Sequence, residues 1–193
     1  MFCKLHPKTQ KLLKQMKFQI FKAITLVALV LFSTSCIDNM TKELEKWKVQ
    51  NDTYYNNMED STSFKLYQIP FEYGGGSFYY KTVKTGDDNA IKPGLSDTVK
   101  VNYKGMFIDG YVFDATYDGT NPIGNPSAKP AQFIVNGLIS GWMYTLIDMN
   151  PGEIRTIVLP ASLAYGASSV GIIKPYSTLR FDIHLISFKV SFE

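Results

Sequence analysis

His6 and His184 are the only histidines in this chain of 193 residues, and Cys3 and Cys36 are its only cysteines. That supply is too thin for a disulfide framework or a cysteine metal cluster. A Ser–His–Asp hydrolase would have to use His184, which lies in the alternating run Phe181-Asp-Ile-His-Leu-Ile186 and is expected to face solvent. Asp87-Asp-Asn89 and Asp114 with Asp118-Gly119 are acidic, but they lack the regularly alternating oxygen ligands of a calcium loop and read as turns. Gly74-Gly-Gly76 has no following helix and no Lys-Ser/Thr, so it reads as a flexible hinge or turn rather than a phosphate cradle. No metal and no cofactor is expected. What remains is a large aromatic inventory, 13 Phe, 12 Tyr and 2 Trp, whose chemistry is to enclose an apolar group.

The elements that must hold such a site begin well inside the chain. Residues 1–36 carry six Lys and no acid, which leaves 37–193 with a net charge of −3. A folded part so mildly acidic has no general attraction for nucleic acid. The uncharged run Ala23–Phe32 is ten residues long, and at helical rise it spans roughly 15 Å, half a hydrocarbon core. Its basic, apolar and small-residue zones are those of a secretory signal peptide. Ending on Ser33-Thr-Ser-Cys36, it resembles a bacterial lipoprotein signal, which implies acylation of Cys36 and a membrane anchor. An ordinary cleaved signal with an incidental cysteine is the alternative, and Met16 is an alternative start.

Residues 37–77 read as an amphipathic helix and linker. Met40, Leu44, Trp47, Asn51, Tyr54 and Met58 recur at helical spacing, predicting a helix over 40–58. Lys42, Glu43, Glu45, Lys46 and Lys48 form its solvated face. Such a helix packs on the following domain or pairs with a second copy, so monomer and dimer both stay open.

From Phe78 to Glu193 the pattern is that of a globular domain. Phe78–Thr85 and Thr98–Gly105 alternate apolar and polar residues, predicting strands with one buried face. Ile108-Asp-Gly110 is a hairpin turn before Tyr111–Asp114, and Gln132–Val135 is a short strand. Ile139, Trp142, Met143, Leu146 and Ile147 mark one face of a short helix, which Asn150-Pro-Gly152 ends. Glu153–Leu159 and Thr178–Phe188 are the last strands, and the long loop between them is the kind that carries function. The expected fold is α+β: a curled antiparallel sheet around one short helix, preceded by an N-terminal helix.

Five blocks in this domain carry a resemblance. Val101-Asn-Tyr-Lys-Gly-Met-Phe-Ile-Asp-Gly-Tyr-Val-Phe-Asp114 resembles the V-x-Y-x-G-x-x-x-D-G-x-x-F-D segment of FKBP-type peptidyl-prolyl isomerases. Leu138-Ile-Ser-Gly-Trp142 is similar to that family's V-I-x-G-W. Leu163-Ala-Tyr-Gly166, Gly171-Ile-Ile-Lys-Pro175 and Thr178-Leu-Arg-Phe-Asp182 follow in the family's order. With the leader, the whole resembles membrane-anchored FKBPs of the bacterial envelope, including those associated with gliding motility.

The resemblance implies an FKBP-like half-barrel and a peptidyl-prolyl cis-trans isomerase acting on proline-containing unfolded or exported polypeptides. It implies a lipid anchor in the envelope, on the outer membrane facing the periplasm, and a macrolide as a further ligand. Trp142 would be the floor of a proline cup, with Tyr103, Phe113, Leu138, Ile139, Ile173 and Phe181 as walls. The Tyr165 hydroxyl and the Ile139 N–H would donate to substrate carbonyls, and Asp114 would shape the field at the twisting amide. Three departures from the family stand out: Ala131 in place of an aromatic, Lys174 within Ile173-Lys-Pro175, and a short Ser168–Gly171 stretch without histidine. The rival function is an FKBP-fold binding or chaperone module with little catalysis.

Overall fold

The computed structural model describes residues 39–191, together with Gln19. The leader and Cys36 lie outside the described residues. Residues 46–193 form one compact unit and residues 1–45 another. No helix among the described residues is long and apolar enough to cross a membrane.

Helix α1 covers 39–56 and runs into a 3₁₀ turn, Asn57–Asp60. Its predicted apolar face is used unevenly. Met40 is 74% exposed, whereas Asn51 is fully buried and Trp47, Tyr54 and Tyr55 are half-buried.

Seven antiparallel strands follow in one sheet. They are β1 (Lys65–Gln68), β2 (Ser77–Lys84), β3 (Thr98–Met106), β4 (Val112–Ala115), β5 (Ala131–Ile134), β6 (Ile154–Leu159) and β7 (Leu179–Lys189). Their order is β1-β2-β6-β7-β3-β4, and β5 also pairs with β3. The nine-residue β3 is long enough to serve both, with Thr98–Val101 facing β5 and Lys104–Met106 facing β4. Register shifts at Thr82/Lys84, Lys100/Val101 and Gly105/Met106 add the twist that curls the sheet.

One reading of the first half changes and another is decided. The segment 65–77, expected to be linker, contributes β1, whose Tyr67 opposes Phe78 and stacks on it at 4.8 Å. Gly74-Gly-Gly76 is the turn of that hairpin rather than a hinge. All three glycines have positive φ, and the Gly76 carbonyl accepts from Ile69 N–H. The signal was weak because β1 is short and half-exposed, so alternation could not mark it.

One face of the sheet packs on α2 (Ser140–Asp148). Alternate residues of β7, Leu179, Phe181, Ile183 and Leu185, point into this core with Val99, Val101, Ile157 and Leu159. From α2 come Trp142 and Leu146. Burying each such side chain is worth about 1.5–3 kcal/mol. Gly141 sets how close the helix comes, since a Cβ there would lie 2.4 Å from both Leu159 methyl groups. The helix stops at Met149, whose N–H reaches the carbonyls of Thr145 and Leu146, and Gly152 turns the chain at φ +83°.

His184 keeps its expected place on the outward face of β7 but is less open to solvent than expected. Its ring is half-buried, and Nδ1 is buried with no hydrogen-bond partner among the described residues. On that face its cross-strand neighbours are Asn102 of β3 and Ile154 of β6, both buried, which shield the ring while Arg180 further along the strand stays 43% exposed.

Candidate functional site

The sheet and α2 leave an apolar cup of about 230 Å³, lined by Tyr103, Phe113, Phe133, Trp142, Phe181, Leu138 and a few neighbours. Trp142 is its floor and is only 4% exposed. It sits on the first turn of α2 because the helix begins directly after Ile139, and Gly141 lets that turn approach β6. Three rings meet the indole edge-on: Tyr103 at 5.1 Å, Phe181 at 5.3 Å and Phe133 at 6.1 Å between centroids. These T-shaped contacts match ring edges to ring faces and fix the floor's orientation. Trp142 is thus both core and cup. Its indole N–H finds no acceptor among the described residues.

The walls come from strands at predictable positions. Tyr103 and Phe181 lie on the central strands β3 and β7, and Phe113 lies on β4 behind the hairpin turn at Gly110. That turn is closed by Gly110 N–H to Phe107 O and by Phe107 N–H to Tyr111 O, both 3.0 Å. Gly105 of β3 explains its own place in the motif. A Cβ there would lie 2.6 Å from the Phe113 ring and 3.0 Å from Phe181, so only glycine lets both rings close over it.

Polar groups are few and lie at the rim. The Tyr103 hydroxyl donates to Asp114 Oδ2 at 2.5 Å. Thr116 holds the two strands in register there, accepting from Tyr103 N–H at 2.8 Å and donating its own N–H to Tyr103 O at 2.9 Å. Burial, then the hydrogen bond and charge of Asp114, push the Tyr103 hydroxyl well above the usual tyrosine range. Burial and the Asp114 charge raise Tyr165 in the same way. Both phenols therefore stay protonated as donors at any physiological pH. The Tyr165 hydroxyl and the Ile139 N–H have no partner among the described residues, and both residues line the cup.

The structure therefore brings together Tyr103, Phe113, Asp114, Leu138, Ile139, Trp142, Tyr165 and Phe181. Ile173 is placed differently. It is 6% exposed within the core and does not line the cup; the bridge it forms with Val170 folds its loop back on itself. Sequence reasoning missed Phe133, which completes the aromatic ring. Its alternation in Gln132–Val135 marked a strand, but nothing local told which face the ring would take. No group of three or more His, Cys, Asp or Glu that could hold a metal occurs among the described residues.

Comparison with known proteins agrees with this geometry. The family model for FKBP-type peptidyl-prolyl cis-trans isomerases matches residues 89–186. The chain is 46% identical over 111 residues to the Outer membrane protein MIP of Legionella longbeachae, covering 57% of this chain and 43% of that one. It is 40% identical over 110 residues to the FKBP-type peptidyl-prolyl cis-trans isomerase FkpA of Escherichia coli K12, covering 57% of this chain and 37% of that one. The crystal structure of FkpA from Escherichia coli superposes with a TM-score of 0.63 at 29% identity, covering 96% of this chain and 74% of that one. The matched regions span about two fifths of the length of the curated relatives.

Proposed function

As the chain belongs to the FKBP-type peptidyl-prolyl cis-trans isomerase family, we propose that it catalyses rotation about X–Pro bonds in polypeptides, with the aromatic cup as its site. The supporting observation is the enclosure itself: an apolar volume of about 230 Å³, with four aromatic rings around a Trp floor.

The uncatalysed barrier of about 18–20 kcal/mol comes from amide resonance. Rotation makes and breaks no bond, so the residues need only bind the twisted amide better than the planar one. In water the planar amide is favoured by hydration of its polarised oxygen. The proline ring seated on Trp142 among Tyr103, Phe113, Phe133 and Phe181 leaves that water behind. The Ile139 N–H and the Tyr165 hydroxyl then offer donors to flanking carbonyls, and Asp114, held by Tyr103, orients the field at the twisting bond. A 10⁵-fold acceleration asks about 7 kcal/mol of such preference.

The clients in this reading are proline-containing unfolded or exported polypeptides, and a macrolide is a competing ligand. The place is the bacterial envelope, with residues 1–36 as signal, Cys36 as the lipid anchor, residues 37–64 as helix and connector, and the outer membrane's periplasmic side as the site of work. One relative supports the envelope, being named an outer membrane protein.

The test is the cis-to-trans relaxation of a Leu-Pro or Phe-Pro peptide. The expected rate rises linearly with protein and falls at least about tenfold in Phe113→Ala, a loss of about 1.4 kcal/mol of transition-state binding. Trp142→Ala is expected to lower it further, alongside lost stability because the indole is also core. A relaxation no faster than the uncatalysed tens of seconds would replace this reading with that of a proline-binding module without catalysis.

A further inference from the structure

Helix α1 touches the cup's margins from outside through two residues one turn apart. Asn51 is fully buried. Its Oδ1 accepts from Thr178 N–H at 2.8 Å, its Nδ2 donates to Trp47 O at 2.8 Å, and its carbonyl accepts from Thr178 Oγ1 at 3.0 Å. One turn earlier, Trp47 Nε1 donates to Ser177 Oγ at 3.2 Å, and Ser177 Oγ donates to Lys174 O at 2.7 Å. The Lys174 ammonium lies 4.8 Å from the Trp47 ring centroid.

The segment 174–178 is therefore held along its length by α1. At its middle Tyr176 has φ +61°, a conformation that residues with a Cβ keep only where their surroundings impose it. Its N–H donates to Gly166 O at 2.8 Å, directly beside Tyr165. The second margin is reached through rings. Trp47 meets Phe107 edge-on at 6.2 Å, and Phe107 lies 5.0 Å from the cup wall Phe113. A single indole thus connects the loop that carries Tyr165 with the strand pair that carries Phe113.

Resting on the isomerase reading above, we propose that Trp47 and Asn51 are positioning residues for the cup: they hold the 174–178 segment and the Phe113 wall at the spacing that binds proline. Neither residue lines the cup; both act through the loop, and Trp47 also through Phe107. A displaced wall weakens planar and twisted amides alike, so the change falls on KM more than on kcat. Tyr55 serves as an internal comparison. It anchors the same helix by donating to Ser77 O at 2.7 Å and by a ring contact with Tyr79 at 5.2 Å, neither of which lines the cup.

The experiment uses the chain with its helix, as Asn51→Ala, Trp47→Phe and Tyr55→Phe. Amide hydrogen exchange over 173–178 and peptide isomerisation kinetics are read on each. Asn51→Ala is expected to speed exchange at Thr178 and to raise KM, each roughly tenfold, as for one buried hydrogen bond left unmade. Trp47→Phe keeps the ring edge and loses the donor, so a smaller effect in the same direction is expected. Tyr55→Phe should move neither readout. Unchanged exchange and a kcat/KM within twofold of the parent in Asn51→Ala and Trp47→Phe overturn the proposal, as does an equal loss in Tyr55→Phe. If Asn51→Ala does not fold, Trp47→Phe decides. If the parent chain itself shows no catalysis, the isomerase reading fails separately, and exchange over 173–178 alone decides whether α1 holds the loop.

Discussion

The Tyr103 hydroxyl donates to Asp114 Oδ2 across 2.5 Å, tying neighbouring strands β3 and β4 together at the rim of the cup. Because Asp114 is exposed, the bond's contribution to stability is modest, about 1 kcal/mol. The Tyr103 proton is nonetheless bound more tightly in the folded chain than in the unfolded one, by burial first and then by Asp114.

That difference has a definite pH signature. A group whose folded pKa is raised contributes stability fully below its unfolded value, here about 10, and loses it as pH rises beyond that value. Urea midpoints of the parent and Tyr103→Phe should differ by a constant amount from pH 7 to 9. Above about pH 10 the parent should fall relative to the variant. A constant difference up to pH 11 would contradict the assigned donor.

Gly105→Ala should injure the cup more than the fold. The new methyl would sit 2.6 Å from the Phe113 ring, which is half-buried and has the open cup to move into. The expected stability loss is about 1–3 kcal/mol, as for overpacking, with kcat/KM down roughly tenfold or more through the displaced wall. Chemical denaturation and peptide relaxation on one preparation separate the two; unimpaired turnover would mean that Phe113 is not a working wall.

Arg155 is a buried cation paired with two carboxylates. It is 5% exposed and donates to Glu153 Oε1 at 2.8 Å and Asp148 Oδ2 at 2.7 Å, with its guanidinium 4.7 Å from the Tyr80 ring centroid. Arg155→Met would leave the buried Glu153 carboxylate without its cation and should cost about 3–5 kcal/mol. None of these residues lines the cup. Turnover per folded molecule should therefore stay within about twofold, a change of about 0.4 kcal/mol in barrier.

His184 should make the domain sensitive to mild acid. Burial, and then the charge of Lys84, lower its pKa below the ordinary 6.5. With the folded pKa depressed, its contribution is held above about 6.5 and lost as pH falls below that value, because the unfolded chain takes the proton first. Stability measured at pH 7.5 and 5.5 should drop in the parent and drop less in His184→Phe. Equal slopes in the two chains would remove His184 as the cause.

Much of the site was legible because its residues sit on elements whose local pattern assigns a face. Period-2 alternation put Tyr103 and Phe181 on the inner side of β3 and β7, and helical spacing put Trp142 and Leu146 on one side of α2. Boundaries of these elements fall within a residue or two of their expected positions. Gly105 and Gly141 were visible as motif letters, and the structure supplies their reason in the nearby Phe113 ring and Leu159 methyl groups.

Other features depend on what covers a face, and no local pattern records that. Phe133 joins the cup because β5 pairs with the first half of β3. Ile173 turns inward because its loop bridges back to Val170. His184 is half-buried because Asn102 and Ile154, distant in sequence, lie opposite it on the flanking strands. Asn51, a polar interruption of an apolar stripe, is buried because Thr178, far along the chain, supplies its hydrogen bonds.

By itself, then, the sequence determined most of the secondary elements, the family and most of the aromatic cup, because periodicity and glycine spacing are local constraints of backbone geometry. The tertiary structure alone decided which rings meet, which loop residue supports rather than lines the cup, and that α1 reaches its margins. Those outcomes rest on pairings between distant segments, where burial and hydrogen-bond satisfaction are settled only once both partners are in place.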